Sequence, residues 1–523
     1  MRIIQEEIEN RGVCSSCDRV VPAKHVIRGT NVFLSKECPD CGTTEALVST
    51  DAVRYEEKRK AMHYEGKAQH TCSLNCTTCT IHKKPTLVFI DVTNRCNMNC
   101  PICLANIPAM GFRFDPPMEY FEKIFQKLAQ LDPKPKIELF GGEPTMRKDL
   151  IEMIRLARSK YGLSTRVVTN GLRLADEKYC DELLATRPEL MFSFDGRHEE
   201  IYSETRKHPR ALELKTKALE NVAKHPKGKV TIMCCVSDAN EKHMADLIAF
   251  CHENRHCVKA LDLIPLTAEW GPDENLNVKS TTTEGVEMIM KNEIPGISFF
   301  PAGAMFKLQT LRSTFEVGRM TFGGAHPNCE LVSVLISDGL QYHPASKYLK
   351  DTNLEELILE AVALDEKMGR ELESDPMVRL FGRKGRQFVF GKALLGLALR
   401  HVDLRQVFGG NAYLKLMRIL FGLVRGVKLK VLLRKHTKCQ SILRMIVLPF
   451  EDKECVEAAR LVDCPASFAF ENPKTQEVAF MPVCAWPVYK NEILRRTADR
   501  YGVGKGSGTR GLSGQRSESE VEC

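Results

Sequence analysis

Ten of the chain's 21 cysteines fall in its first 103 residues, where an even scatter would put about four, and all ten stand in tight spacings. Cys96, Cys100 and Cys103, within VTNRCNMNCPIC, are spaced Cys-x3-Cys-x2-Cys. Three thiolates can hold a 4Fe-4S cluster and leave one iron without a protein ligand, as catalytic zinc sites keep an open position. That open iron is a place where a small molecule can bind and react. Cys14, Cys17, Cys38 and Cys41 form two Cys-x2-Cys pairs separated by twenty residues. Four thiolates so placed close a tetrahedron around one zinc or one rubredoxin-type iron. The spacing separates neither the two metals nor a structural staple from an electron carrier. Cys72, Cys76 and Cys79 repeat the triplet spacing 24 residues before Cys96. They read as an auxiliary iron-sulfur cluster or as a zinc site completed by His82. Several of the remaining eleven read as small core residues. Cys439, Cys455, Cys464 and Cys484, at spacings of 16, 9 and 20, are enough for one more closed cluster.

The elements around the motifs say how they are positioned. The apolar, β-rich run TLVFIDVT, from Thr86 to Thr93, directly precedes the Cys96 triplet, which puts the triplet on the loop at the end of a first strand. Thirty-seven residues after Cys103 the run KIELF ends and is followed by Gly141, Gly142, Glu143 and Pro144, then by a helical pattern of Leu150, Met153, Ile154 and Ala157. The runs VVTNGL (Val167 to Leu172), LMFSFDG (Leu190 to Gly196), VTIMCCV (Val230 to Val236) and ALDLIPL (Ala260 to Leu266) follow at intervals filled by helical patterns. This order predicts an α/β fold, a partial (βα)6 TIM-like barrel over residues 84–270 with its site on the loops at the C-terminal strand ends.

The triplet and the Gly141-Gly142-Glu143-Pro144 segment, in this order and context, resemble the two signature elements of the radical S-adenosylmethionine (radical SAM) superfamily. The resemblance implies that the open iron chelates the amino and carboxylate groups of S-adenosylmethionine. Gly141, Gly142 and Glu143 would bind its ammonium, and Thr169, Asn170, Ser193 and Asp195 would line the cofactor cleft. One-electron reduction, from a carrier such as ferredoxin or flavodoxin, would then release methionine and a 5′-deoxyadenosyl radical. Cys329, ahead of a hairpin turn at Asp338-Gly339, is similar to the auxiliary-cluster extensions of such enzymes, so one or two auxiliary 4Fe-4S clusters are expected. Over the first 270 residues the layout is similar to the tetraether lipid synthases and bacterial membrane-spanning lipid synthases, a group whose members have also been described as pterin methyltransferases. The implied activity is the joining of unactivated lipid chains through a carbon-carbon bond. The alternatives are methylation of a pterin-like heterocycle and, in another class, a non-enzymatic electron carrier or basic-surface binding module.

Charge supports the lipid expectation. The chain's formal +8 conceals residues 379–438, where fifteen Lys or Arg face one acid, Asp403, leaving the remainder acidic. Within that segment Lys415, Arg418, Arg425, Lys428 and Lys435 fall on one stripe of a continuous helix, with Leu416, Met417, Val427 and Val431 among the aliphatics between them. Such a helix suits an anionic membrane surface or a solvated cap on the barrel; scarce aromatics argue against nucleic acid. No run approaches the roughly 18 uncharged apolar residues of a membrane span, and MRIIQEEIEN carries three glutamates where a signal peptide has an apolar core. The expected location is cytoplasmic, peripheral at the inner face of the membrane. The expected organisation is a rubredoxin-like or zinc-ribbon knuckle over 1–55, an auxiliary-cluster segment over 56–83, the barrel over 84–270, a mainly helical region with auxiliary-cluster cysteines over 271–500, and a disordered tail over 501–523 that ends in the free thiol Cys523.

Overall fold

The computed structural model describes residues 2–4, 9–62, 72–74, 76, 84–267, 278–279, 281–316, 324, 326–425, 427, 429–451 and 453–503. The N-terminal unit is a small antiparallel sheet of β1 (Arg2–Ile3), β2 (Arg11–Val13), β3 (Val20–Arg28), β4 (Asn31–Cys38) and β5 (Gly42–Ser49). Its meander turns at Gly29 and at Gly42, whose positive φ of 59° and 81° suits a residue without Cβ. The helix Ala52–Met62 then leads out, and Arg54 on it pairs with Glu287 at 3.1 Å and Glu355 at 2.9 Å, tying the unit to the main body.

The main body is built on β6 (Leu87–Thr93), β7 (Lys136–Gly141), β8 (Ser164–Thr169), β9 (Glu189–Ser193), β10 (Val230–Val236) and β11 (Val258–Pro265), all parallel and adjacent in chain order. Every residue of β6 is buried, as expected for a parallel strand covered on both faces. Helices between the strands bury single apolar stripes, for example Tyr120, Phe121, Ile124, Phe125 and Leu128 of Met118–Ala129. The six expected strands are therefore present, as an arc of (βα) units.

The last third of the chain extends this arc at both edges. β12 (Phe300–Pro301), β13 (Leu331–Ser337) and β14 (Tyr342–Pro344) form an antiparallel group, with the Asp338-Gly339 turn between β13 and β14. β15 (Ser441–Val447) inserts between β13 and β11, parallel to β11, while β16 (Ala466–Glu471) lies parallel to β6 and pairs with β17 (Val478–Pro482). The result is a 12-stranded sheet in which eight consecutive strands, from β16 round to β15, are parallel.

The basic segment is helical, but as several helices: Pro376–His401, kinked at Gly382, then Leu404–Phe408, Ala412–Val424 and Leu429–His436. The last two form a hairpin whose close approach is set by Gly422, since a Cβ there would come within 2.5 Å of Leu432. The single continuous stripe from Lys415 to Lys435 is accordingly broken at the turn. Among the described residues no helix is long and apolar enough to cross a membrane.

Candidate functional site

The Cys96 triplet sits on the loop leaving β6, and two polar side chains fix that loop. Asn94 bonds its far end, donating to the Phe112 carbonyl at 2.6 Å and accepting from the Phe114 amide at 2.8 Å. Arg147, 4% exposed, donates to the carbonyls of Val92 and Pro116 at 3.0 Å each and pairs with Asp115 and Asp149. All three cysteines are half-buried. Burial pushes the Cys96 thiol up to about 12, and Glu143, Cys100 and Cys103 push the same way against the Met98 amide; burial likewise raises Cys103. Three thiolates so placed repel one another and are only partly hydrated. The positive irons of a 4Fe-4S cluster reverse that balance, so the donor set fits the cluster that the spacing implies.

The Gly-Gly-Glu-Pro segment meets this loop backbone to backbone. The Gly142 amide donates to the Thr93 carbonyl at 2.7 Å and the Glu143 amide to the Arg95 carbonyl at 2.8 Å. A Cβ at Gly141 would stand 2.4 Å from the Thr93 oxygen and one at Gly142 would stand 2.4 Å from the Arg95 oxygen. Both positions therefore require glycine for close approach, and Gly141 also for its φ of 120°. Pro144 opens the short 3-10 turn Pro144–Met146 that follows.

Glu143 is 1% exposed and its carboxylate is aimed by donors from two strand ends. Oε1 accepts from the Thr145 amide and hydroxyl and from the Thr169 hydroxyl, and Oε2 accepts from the Asn170 amide at 2.7 Å. A carboxylate offers about four acceptor positions, so Oε2 keeps room for an ammonium hydrogen. The Asn170 side-chain Nδ2 in turn donates to Asn97 Oδ1 at 2.7 Å and lies 3.9 Å from the Cys96 sulfur. Glu143, Thr169 and Asn170 are thus one bonded group beside the triplet.

Ser193 and Asp195 take other parts. The Ser193 carbonyl, with that of Asn170, receives the ammonium of Lys215 at 2.6 and 2.7 Å. Burial holds Lys215 down at about 8, with Arg206 acting in the same sense and Asp195 against it. Asp195 forms a two-bond pair with Arg206, at 2.8 and 3.0 Å, and accepts from the Cys235 amide. Burial opposes its charge, but Arg206, with Lys215 and the Cys235 amide, outweighs burial and holds the carboxyl below its ordinary range. Lys215 and Arg206 carried no signal in the sequence: each is a cation in a helical stretch, indistinguishable there from a solvated one. The same holds for Lys490, which donates to the Ala105 carbonyl just after Cys103.

The other cysteines separate into groups. The sulfurs of Cys14, Cys17, Cys38 and Cys41 all lie within 4.8 Å of one another, and Cys17 and Cys38 are 3.8 Å apart. Two ligands about 2.3 Å from one tetrahedral ion stand about 3.8 Å apart, so this set fits a single metal ion. Cys72 and Cys76 are buried, with Leu74 between them bonded through its carbonyl to the Tyr489 hydroxyl; Cys79 and His82 lie outside the described residues. Cys329, Cys464 and Cys484 line one cavity of about 50 Å³ together with the buried guanidinium of Arg460. Burial raises Cys464, and Cys484 and Cys329 add to it. Cys439 and Cys455 stand apart from this group. Cys439 precedes the end of β15 that pairs with Ser337, whereas Cys329 precedes the opposite end of β13, about 20 Å away along the strands. Cys455 packs beneath the N-terminal unit, 3.5 Å from the Leu47 carbonyl oxygen.

Family models match the stretches that carry these motifs. Residues 90–251 match the radical SAM superfamily and residues 9–50 match the HMPTM N-terminal zinc ribbon domain. The chain is 27% identical over 389 residues to the 7,8-dihydro-6-hydroxymethylpterin dimethyltransferase of Methanocaldococcus jannaschii, covering 71% of this chain and 76% of that protein. It is 34% identical over 131 residues to the Fe-coproporphyrin III synthase of Methanosarcina barkeri, covering 25% of this chain and 29% of that one. Among solved structures, Streptococcus suis SuiB bound to S-adenosylmethionine matches 40% of this chain and 47% of its own length, at 17% identity and a TM-score of 0.31. With the glycine-rich acceptor segment seated against a cysteine triplet at the mouth of a parallel arc, the chain is an enzyme of the radical SAM type, with a radical SAM domain over residues 90–251 and an N-terminal zinc ribbon over residues 9–50.

Proposed function

We propose that this enzyme works at an anionic membrane surface and joins unactivated lipid alkyl chains through a carbon-carbon bond. The observation that carries the reading is the surface of the C-terminal helices. Twelve of the twenty exposed large apolar side chains among the described residues lie between Met377 and Val431, including Leu380, Phe388, Leu414, Met417 and Phe421. They are interleaved with the cationic excess of residues 379–438. Apolar side chains at the acyl boundary with cations at headgroup level are what such a surface needs. Small, mainly apolar cavities of about 50 and 20 Å³ border Phe450 and support it further; the second also borders Leu104 and Ala105, next to Cys103.

When bound, the cluster and S-adenosylmethionine supply a 5′-deoxyadenosyl radical that abstracts hydrogen from carbon. Cys96, Cys100 and Cys103 would hold that cluster, and Glu143, aimed by Thr169 and Asn170, would orient the ammonium. Joining two chain ends removes one hydrogen atom from each, so two cofactor molecules and two electrons from an external reductant are consumed per bond. Phe89, Phe140 and Phe468 line the smallest cavity and would keep water from the chain ends. Cys329, Cys464 and Cys484 would carry an auxiliary cluster, its negative thiolates balanced by Arg460. Cys72, Cys76 and Cys79 would carry a second.

Lipid mass spectrometry after expression in a host without membrane-spanning lipids tests the reading. Doubled-chain lipids are expected; their absence from cluster-loaded, reductant-supplied protein overturns it. A second reading, methylation of a pterin-like heterocycle, is supported by the name of the Methanocaldococcus relative. Under it, a soluble pterin would gain methyl groups at a rate indifferent to vesicles.

A further inference from the structure

Where the zinc ribbon meets the barrel, three metal-ligating side chains from distant parts of the chain converge out of contact with water. His25 on β3, His326 before β13, and Glu457 before the helix Ala458–Leu461 are 0%, 5% and 0% exposed. Glu457 Oε1 lies 3.3 Å from His25 Nε2 and 3.5 Å from His326 Nε2. The three ligand atoms all fall within 4.8 Å of one another. The two imidazoles stack at 6.0 Å between centroids with 28° between planes, which sets both rings against the same oxygen.

The distances decide between two kinds of contact. A hydrogen bond from imidazole to carboxylate is about 2.7–2.9 Å long. Ligand atoms about 2.0–2.1 Å from one tetrahedral ion stand about 3.3–3.4 Å apart. The observed separations, 3.3 and 3.5 Å, lie nearer the second. His25 Nε2 also has the Tyr55 hydroxyl at 3.3 Å, so one ring nitrogen faces two oxygens at the same distance, though a single ring N–H serves one well. The two oxygens of Glu457 differ in the same way. Oε2 is held by Asn10 at 2.5 Å, and Asn10 is itself fixed by the amides of Arg11 and Ala459 at 3.0 Å. Oε1 is buried and makes no well-aligned hydrogen bond, with the two imidazole nitrogens at 3.3 and 3.5 Å.

We propose that His25, His326 and Glu457 bind a divalent transition-metal ion, zinc or ferrous iron, at a centre separate from the four-thiolate ribbon site and from every cysteine set. Two imidazoles and a carboxylate are a donor set for such ions. The Tyr55 hydroxyl, 1% exposed, stands beside the set and closes it to water, which makes the centre structural. It pins three segments at one point: a ribbon strand, the stretch that reaches Cys329 three residues after His326, and the turn that reaches Arg460 three residues after Glu457. The ion therefore fastens the ribbon to the wall that carries Cys329, Cys464 and Cys484.

Full-length, anaerobically cluster-loaded protein supplied with zinc, measured by elemental analysis and zinc-edge X-ray absorption, tests this. The expected spectrum contains a nitrogen/oxygen shell at about 2.0–2.1 Å besides any sulfur shell at about 2.3 Å. Glu457→Gln, which keeps side-chain volume, should lose the nitrogen/oxygen shell and about one zinc per chain. His326→Cys should keep the ion and convert one nitrogen ligand to sulfur, and this variant decides the matter if Glu457→Gln does not fold. Zinc bound through sulfur alone in the wild type, or a nitrogen/oxygen shell unchanged in both variants, overturns the proposal.

Discussion

The ribbon site and the radical site are both cysteine centres, yet they are assembled in opposite ways. The ribbon site is local and closed. Its two knuckles are made by short-range bonds, such as the Cys14 amide to the Arg19 carbonyl at 2.8 Å, and by the Cys38 to Gly42 pairing of β4 with β5. Four sulfurs leave a tetrahedral ion no position for a substrate. The proposed radical site is open, and only its three thiolates are local. Its acceptors come from the end of β7, its supports from the ends of β8 and β9, and Lys215 from a helix beyond them. A closed centre needs only its own hairpins, whereas an open one needs the whole arc to hold what binds at the vacant iron position.

The sharpest break of that comparison is to remove one ligand from each. Cys100→Ala should lower reductive cleavage of S-adenosylmethionine, read as 5′-deoxyadenosine, by on the order of 10³-fold or more. Cys38→Ser should cost the ribbon metal while leaving that cleavage within about tenfold. Equal losses would mean that the ribbon is part of the reacting centre. Next in size is Gly142→Ala, whose Cβ meets the Arg95 oxygen at 2.4 Å. An overpacking cost of about 1–3 kcal/mol should appear as a roughly 5- to 150-fold loss in cleavage with the ribbon metal intact. Cys464→Ser or Cys484→Ser should remove about four irons per chain and leave cleavage within about threefold, since these sulfurs line a separate cavity. Unchanged iron would remove the auxiliary-cluster assignment.

The smallest effect is in pH. Lys215 sits at about 8 instead of the ordinary 10.5, so between these values the unfolded chain binds a proton that the folded chain does not. Stability therefore rises with pH across that window, by up to about 1.4 kcal/mol per pH unit, and the penalty is constant below it. The neutral amine still has hydrogens for the Asn170 and Ser193 carbonyls. Denaturant midpoints of wild type minus Lys215→Met should increase from pH 8 to 10; a flat difference would place the ammonium in water.

What the sequence disclosed divides along the same line. The ribbon, the triplet, the glycine segment and the six strand runs were legible because each is contiguous. Even there, the run Val167 to Leu172 overshot its strand: β8 ends at Thr169 because Gly171, at φ 82°, turns the chain into Leu172–Ala175. Illegible were contacts with no local signature. Nothing in residues 441–471 announces that β15 and β16 lie against β11 and β6. Nor does any spacing group Cys329 with Cys464 and Cys484, since strand geometry, not proximity in the chain, gathers them. The basic segment looked like one stripe because periodicity runs on through a turn that only the fit of Gly422 against Leu432 reveals.

The seat of β16 against β6 also has a consequence in time. β6 is made early, but the strand that covers its edge leaves the ribosome about 380 residues later. At about 5–20 residues per second, that is roughly 20–80 s during which the first strand of the arc has an unpaired side. Cys464 and Cys484 flank β16 and β17 and emerge with them. The Cys96 loop and the ribbon can meet metal while synthesis continues, but the wall behind them is finished only as translation ends. A cluster inserted during synthesis would thus find Cys96, Cys100 and Cys103 available first and Cys464 and Cys484 last.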